Sequence, residues 1–404
     1  MESLPLQPFL QSLHKEQWQE VRLGEVAEII SGGTPKTSIP EYWNGEIPWL
    51  TPKDLAGYNH IYISKGERFI TKLGLKNSSA TLMPKGTILL SSRAPIGYVA
   101  IAQNDICTNQ GFKSLIVNPK QACNLFVYYW IKDNVKYLQS LGTGTTFEEI
   151  SKGVVQDITI PLPPLTIQQK IAEILSSFDD KIDLLHRQNK TLESLALTLF
   201  RHYFIDNPNR SEWEEVSLNS LCEITSSKRI FYSEYVEYGI PFYRSKEIIE
   251  FSKGNNPQNE LFIDENKYND IANKFGVPQA NDILLTSVGT LGIPYLVPKD
   301  KKFYFKDGNL TWFKNFKNIT SLFLFYWFKS PQGKEKLDSI AIGSTQQALT
   351  IAALKAVNIH LPHTDIIRIL NEQLNGIQNK IENNTKQIQN LQAMRDMLLK
   401  AIFA

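Results

Sequence analysis

The sequence predicts an α+β protein built twice over: two pseudo-symmetric globular α/β domains separated by an antiparallel coiled coil of two long helices. Three observations predict it. The chain repeats itself in order at an offset close to two hundred residues. Each repeat opens on short β-branched runs broken by glycine and proline, and each closes on an uninterrupted stretch with heptad spacing.

The repeat is read first, because it decides the architecture. Trp18-Gln-Glu-Val21 returns as Trp213-Glu-Glu-Val216 and Ile88-Leu-Leu90 as Ile283-Leu-Leu285, both at an offset of 195, which also carries Gly97 to Gly292. Ile47-Pro48-Trp49 returns as Ile240-Pro241-Phe242, and LFVYYW (125–130) as LFLFYW (322–327). From Gly144 against Gly343 the offset is 199 and stays so through Leu199 against Leu398. Such a period is too long for a solenoid or propeller unit of ~20–50 residues, so a whole domain pair is duplicated. The boundaries this implies are a globular domain over 1–162, a helix over 163–206, a second globular domain over 207–362 and a second helix over 363–404.

The closing segments read as helices. Pro163-Pro164 ends the first globular part, and Thr166 with Gln169 forms a capping-box pattern that predicts a start there. Apolar residues follow at 167, 171, 174, 178, 182, 185, 192, 196, 199 and 203, with Asn189 in a polar gap. The second copy runs 366, 370, 374, 377, 381, 388, 391, 398 and 402, with Asn384 and Arg395 in the gaps. About 40 residues at ~1.5 Å each make a rod of roughly 60 Å. An exposed heptad stripe must be covered, and two in one chain can cover each other. The alternative is that each helix packs only on its own domain. Asn189 and Asn384 either set register, as single polar seam residues do, or are incidental.

Composition narrows the class. Apolar residues make up 42% of the 404, enough for more than one core, while 43 Lys and Arg against 41 Asp and Glu leave a net charge of only +2. The three cysteines are far apart, which excludes a disulfide scaffold and fits a reducing compartment. The N-terminus has no basic region followed by an apolar run, and no apolar run approaches membrane length, so a cytoplasmic protein is expected.

No catalytic signature stands out. His360 and His363 flank Pro362 without the Glu of a zincin helix, there is no phosphate-loop lysine motif, and Glu265-Asn-Lys267 is a short match to a nuclease fragment. Ser31-Gly32-Gly33-Thr34-Pro35-Lys36 is either a plain strand-ending turn or a cradle of amides for phosphate. Charge is uneven locally. Arg68, Lys72, Lys76, Lys85 and Arg93 lie in a stretch without acids, as do Lys314, Lys317, Lys329 and Lys334. Such stretches suit a surface that tracks phosphates, or a solvated face whose acids come from elsewhere in the fold.

GGTPKTSIPEYWNGEIPWLTPKDL (32–55), RAPIGYVAI (93–101), NQGF (109–112) and IPLPPLTIQQKIAEIL (160–175) resemble the specificity subunit of Type I restriction-modification enzymes. The second copy departs further, with TSSKR (225–229), GTLGIPYL (289–296) and LPHTDIIRILNEQL (361–374) at the matching places. The resemblance implies two target-recognition domains, each reading one half of a bipartite double-stranded DNA target, and helices that act as a ruler for the unread spacer. It implies no catalysis by this chain and no cofactor on it. S-adenosylmethionine would belong to two modification subunits docked on it, and ATP and Mg to restriction/translocase subunits. No membrane is involved. Half-sites read from one side of a duplex should lie about one turn, ~34 Å, apart. The alternatives are a nuclease or methyltransferase with an unfamiliar site, and a coiled-coil protein scaffold.

Candidate DNA contacts rest on position and chemistry. They are Thr34 and Lys36 in the glycine turn; Thr51 and Lys53, matched by Arg244 and Lys246; Arg93; Lys228 and Arg229; and the polar loops Thr145-Thr146 and Ser344-Thr345-Gln346-Gln347. Arg and Gln can pair bidentately with guanine and adenine, and Lys suits phosphate. Ile47-Pro48-Trp49 and Ile96-Gly97 are expected to hold the fold.

Overall fold

A computed structural model describes residues 6–11, 13, 15–93, 95–144, 148–255, 257, 260–299, 301–344 and 346–403. The chain divides into two compact units, one of Met1–Leu184 with Asn390–Ala404 and one of Leu185–Gln389.

In the first unit a five-stranded sheet runs in the order Ala27–Ser31, Lys113–Val117, Ile88–Leu90, Val99–Ala102, Tyr62–Ile63. Ile88–Leu90 is buried at every residue, which is why it reads as an unbroken apolar run with no alternation. A three-stranded sheet centres on Trp43–Leu50, antiparallel to Arg68–Ile70 and parallel to Cys107–Thr108. The Ile-Pro-aromatic signature is therefore the spine of this sheet, with Trp49 only 2% exposed.

The second unit repeats the plan. Glu223–Thr225, Leu310–Lys314, Ile283–Thr286 and Pro294–Leu296 form one sheet in that order. Ile240–Tyr243 centres the other, antiparallel to Leu261–Ile263 and parallel to Tyr304–Phe305. The turn of the first unit's RAPIG motif also recurs. Gly97 and Gly292 both have positive φ, +103° and +72°. Their amides donate to the carbonyls of Ser91 and Thr286 at 3.0 and 2.8 Å. The next amides, of Tyr98 and Ile293, donate to the hydroxyls of the same two residues at 2.8 and 2.9 Å. A side chain at either glycine would sit in the left-handed region, so both stay glycine.

The copies differ between these shared strands. The first unit has a single turn, Pro52–Leu55, and a short helix, Lys72–Lys76, where the second has helices Ser245–Ser252 and Glu265–Phe275. In each unit a two-stranded ribbon, Gln19–Arg22 with Thr159–Leu162 or Glu214–Ser217 with Asn358–Leu361, ties the start of the globular part to its end. A long helix follows at once.

The long helices are Leu165–Phe200, finished by a π turn at Arg201–Ile205, and Thr364–Phe403. The first does not start from a Thr166 cap. The carbonyl of Pro164 accepts from the amides of Ile167 and Gln168 at 2.8 and 3.1 Å. The side chain of Gln168, 1% exposed, donates to Pro163 O at 2.8 Å and accepts from Cys123 N at 2.8 Å. Gln168 thereby locks the helix start to the aromatic helix Asn124–Asp133. Both units contain a piece of each long helix, and in both the pieces touch, so neither helix packs on its own domain alone. Within the second unit Asn384 bonds Asn189 and Gln373 bonds Tyr203, so the pairing is antiparallel. Within the first, Arg395 pairs with Asp179 while Leu398 and Ile402 are buried, as are Leu175 and Phe178.

Candidate nucleic-acid interface

Segments far apart in the sequence converge at matching points of the two units. In the first, Ser92 N donates to Gly111 O and Ile150 N to Ser92 O, at 2.8 and 2.9 Å. In the second, Ser287 N donates to Asn309 O and Leu349 N to Ser287 O, at 2.8 and 2.9 Å. Bridges Arg93↔Glu149 and Thr143↔Glu149 have their counterparts in Val288↔Ala348 and Ile342↔Ala348. One backbone scaffold thus gathers the polar loops, the residues after the first Ile-Leu-Leu strand, and the segment that enters the last strand of its sheet.

On the first scaffold, Thr34 donates its hydroxyl to Gln110 Oε1 from the NQGF motif. The neighbouring glycines offer no phosphate cradle: Gly32 N and Gly33 N donate to Phe112 O and Thr108 O, and a Cβ on Gly32 would lie 2.0 Å from Asn109 O. That turn is close backbone packing. Lys36 is exposed. Thr51 donates both its amide and its hydroxyl to Asp54 Oδ2, at 2.7 and 2.8 Å. Lys53, well exposed, stands 3.4 Å from Glu67. Arg93 lies 3.8 Å from Glu149, which also holds the buried Lys113 at 3.0 Å. Thr145 and Thr146 lie outside the described residues.

The second scaffold carries an open groove of about 720 Å³ whose lining includes Arg229, Tyr232, Arg244, Lys306 and Asp307. Arg229 is paired with Asp307 at 2.9 Å. Arg244 is held by the carboxylate of Glu247 through Nε at 3.2 Å and Nη2 at 2.6 Å. Burial pushes that carboxyl's pKa up, but the bonds from Arg244 outweigh it and leave Glu247 below its ordinary value. Lys246 is exposed on the same helix. Lys228 donates its amide to Tyr304 Oη at 2.6 Å and lays its ammonium over Phe275 at 4.5 Å. Ser344, Gln346 and Gln347 are exposed in the loop closed by Ile342↔Ala348; Thr345 lies outside the described residues. Gln347 O accepts from Gly289 N at 3.3 Å, beside Val288 of the groove.

Within the basic stretches, Arg68 lies over Trp43 at 3.6 Å, while Lys314 pairs with Glu223 at 3.2 Å and Lys329 with Glu193 at 2.9 Å, so for these two lysines the fold supplies acids the local sequence lacks. The Glu265-Asn-Lys267 match is split, since Glu265 pairs with Lys302 and Lys267 with Glu234, each at 2.7 Å. Sequence reasoning passed over Lys306, the exposed Tyr232 and Glu247. Only the last had a signal, the N-cap to N3 spacing from Arg244. Among the described residues no helix is long and apolar enough to cross a membrane.

Comparison with known proteins agrees with this duplicated scaffold. The family model described as "Type I restriction modification DNA specificity domain" matches twice, over residues 15–194 and 210–393. The Type I restriction enzyme MjaIX specificity subunit of Methanocaldococcus jannaschii is 35% identical, with 96% of this chain and 93% of that protein covered. The MjaVIII specificity subunit of the same organism is 26% identical over 96% and 92%. The crystal structure of a Type-I restriction-modification S subunit from M. genitalium shares the fold, with a TM-score of 0.57 at 18% identity over 96% of both chains.

Proposed function

The chain belongs to the Type I restriction modification DNA specificity family, and from that premise we propose that each unit reads one half of an asymmetric, bipartite DNA target. Its homologues are specificity subunits, the non-catalytic part of their restriction-modification complexes. One observation carries the proposal: two units share a backbone scaffold, yet differ in side chain at its matched points, Thr51 against Arg244 and Arg93 against Val288. Two identical readers would select a palindrome, whereas unlike readers select two unrelated half-sites.

In this reading the paired long helices set the unread spacing and offer the docking surface for modification subunits. Methyl transfer from S-adenosylmethionine then belongs to those subunits, and ATP-driven translocation to restriction subunits. The chain works in the cytoplasm, where the DNA is. The test is an exchange of residues 18–160 for the matching segment of another family member, with methylated adenines mapped across a genome. One half of the target should change and the other should stay. A change in both halves would defeat the reading.

A further inference from the structure

Glu247 lies at the third position of the helix Ser245–Ser252, and its side chain is 1% exposed. Its Oε2 accepts the amide of Arg244, the N-cap residue, at 2.8 Å, and both oxygens engage the guanidinium of the same arginine. A buried carboxylate tied at three points by one residue leaves that residue little freedom. The guanidinium is planar, and only its Nε–Nη2 edge faces Glu247. Among the described residues, Nη1 has no partner, and the side chain keeps 35% exposure in the groove that Lys306 and Tyr232 also line. The free edge, Nη1–H beside the second Nη2–H, is a two-donor fork aimed outward.

The first unit builds the same device around a different side chain. Thr51 is the N-cap of Pro52–Leu55, its amide bonds Asp54 at the third position, and its hydroxyl proton goes to the same oxygen. The offset of 193 that maps Ile47-Pro48 on Ile240-Pro241 maps Thr51 on Arg244 and Asp54 on Glu247. The cap is kept and the presented group is exchanged. Threonine, its proton committed, offers only an acceptor here.

Building on the reading of the two units as DNA readers, we infer that Arg244 reads a guanine in the half-site of the second unit, with Glu247 as its positioning residue, and that the first unit reads no guanine through Thr51. Guanine presents two acceptors, O6 and N7, in the major groove, which match the free fork; adenine sets a donor, N6, against one of the arginine hydrogens. A side chain already fixed by Glu247 loses less freedom on binding than a mobile one. A bidentate pair of this kind is worth roughly a 5- to 150-fold preference for the right base.

The experiment uses the full chain assembled with its modification subunits and a duplex library with both half-sites randomised. The wild-type assembly should select a bipartite motif with a guanine in the half-site that changes when the second unit is exchanged. Arg244→Lys keeps the charge and loses the planar fork, and since an ammonium can still donate to guanine O6 and N7 it should weaken, without abolishing, selection at that one position and leave every other position as it was. Glu247→Gln should relax it less, because the arginine is kept and its orientation loosened. Arg244→Gln combined with Glu247→Gln removes the buried charge, so it tests the same position in a folded chain should the lysine variant be unstable. An unchanged guanine preference in either of these Arg244 variants, or a second half-site without guanine, overturns the assignment while the bipartite motif stands. A wild-type assembly that selects no motif would overturn the DNA reading and the assignment with it.

Discussion

Asn384 donates its side-chain amide to Oδ1 of Asn189 at 2.9 Å, at a point of the helix pair where Asn384 has no exposure at all. Asn189 in turn donates to Thr385 Oγ1 at 3.4 Å, and Asn384 Oδ1 has no partner among the described residues. A buried amide with one unmet acceptor does not add stability over an apolar seam; it selects register, because shifted along the seam it would face apolar side chains such as Leu185 or Ala196. Asn384→Leu alone should therefore cost about 1–3 kcal/mol, since it takes from Asn189 Oδ1 the donor it has in the seam. The double variant with Asn189→Leu should be at least as stable as the parent and should show more than one association state. Urea unfolding and light scattering check both halves of this prediction, and a double variant weaker than the single would contradict it.

The first unit pairs its two long helices through an ion pair, Arg395 with Asp179, at positions where the second has Ala196 and Gln378. Arg395 bonds Asp179, which is 9% exposed and also accepts from Tyr129 Oη at 2.8 Å. Burial and the neighbouring carboxylate raise the Tyr129 phenol well above its ordinary value, so it stays a donor. At the offset of 199 the positions of Asp179 and Arg395 fall on Gln378 and Ala196, and Tyr326, matching Tyr129, reaches Gln378 at 3.4 Å. Arg395→Ala should destabilise the fold, but by less than the about 3–5 kcal/mol of a buried carboxylate left with no cation, because Lys132 Nζ remains 3.9 Å from Asp179. Asp179→Gln with Arg395→Ala removes one charge of each sign and places the second unit's residues at these two positions, and it should cost less than Arg395→Ala alone. Denaturant midpoints decide it: equal losses in the single and double variants would show that the charge itself is not what matters.

These two contacts also mark how far the sequence could be read. Asn189, Asn384 and Arg395 were visible as polar gaps in an apolar seam, because period depends only on local spacing. That two of the gaps would meet each other, and the third an aspartate 216 positions away, depends on which residues the antiparallel register sets opposite one another. The strands Ile88–Leu90 and Ile283–Thr286 were legible as recurring apolar runs, and the glycines after them as turns. Arg93 was legible as a cation, but its acid, Glu149, comes from a loop that only the fold brings near. The basic runs left two readings open, and for Lys314 and Lys329 the acids come from the fold: they meet Glu223 and Glu193 through strand and helix pairing, which local charge counting cannot see. The Arg244–Glu247 pair, three residues apart, was within reach of a capping rule applied to arginine.

Acid should act on the second unit through Glu247. Its folded pKa lies below the ordinary 4.5, since the bonds from Arg244 outweigh the opposing effect of burial. A depressed carboxyl contributes stability that is fully present above the unfolded value and is lost as pH falls through the folded one. Stability should thus hold from neutral pH down to about 4.5 and decline below it. Glu247→Gln should flatten that decline. Glu234 and Glu250 are depressed as well and are present in both proteins, so the difference between the two pH profiles isolates Glu247. Identical profiles below pH 4.5 would count against the Arg244 pairing.

The three cysteines report on the cores. Cys107 is fully buried on an edge strand of the first unit's three-stranded sheet, and Cys222 is 4% exposed in the core cluster that holds the aromatic helix Ser321–Lys329 of the second. Burial pushes both thiols up to about 12, and a thiol so raised holds almost no thiolate at pH 8. Cys123, the N-cap residue of Asn124–Asp133, is partly exposed and so within reach of a reagent in solution. In the native protein at about pH 8 a thiol reagent should therefore modify one group rapidly, and Cys123→Ser should abolish that phase. In denaturant all three should react at one rate, since only the fold distinguishes them. A rapid phase that survives Cys123→Ser would mean that one of the two cores opens on the timescale of labelling, and the packing described around Cys107 or Cys222 would then be looser than its burial implies.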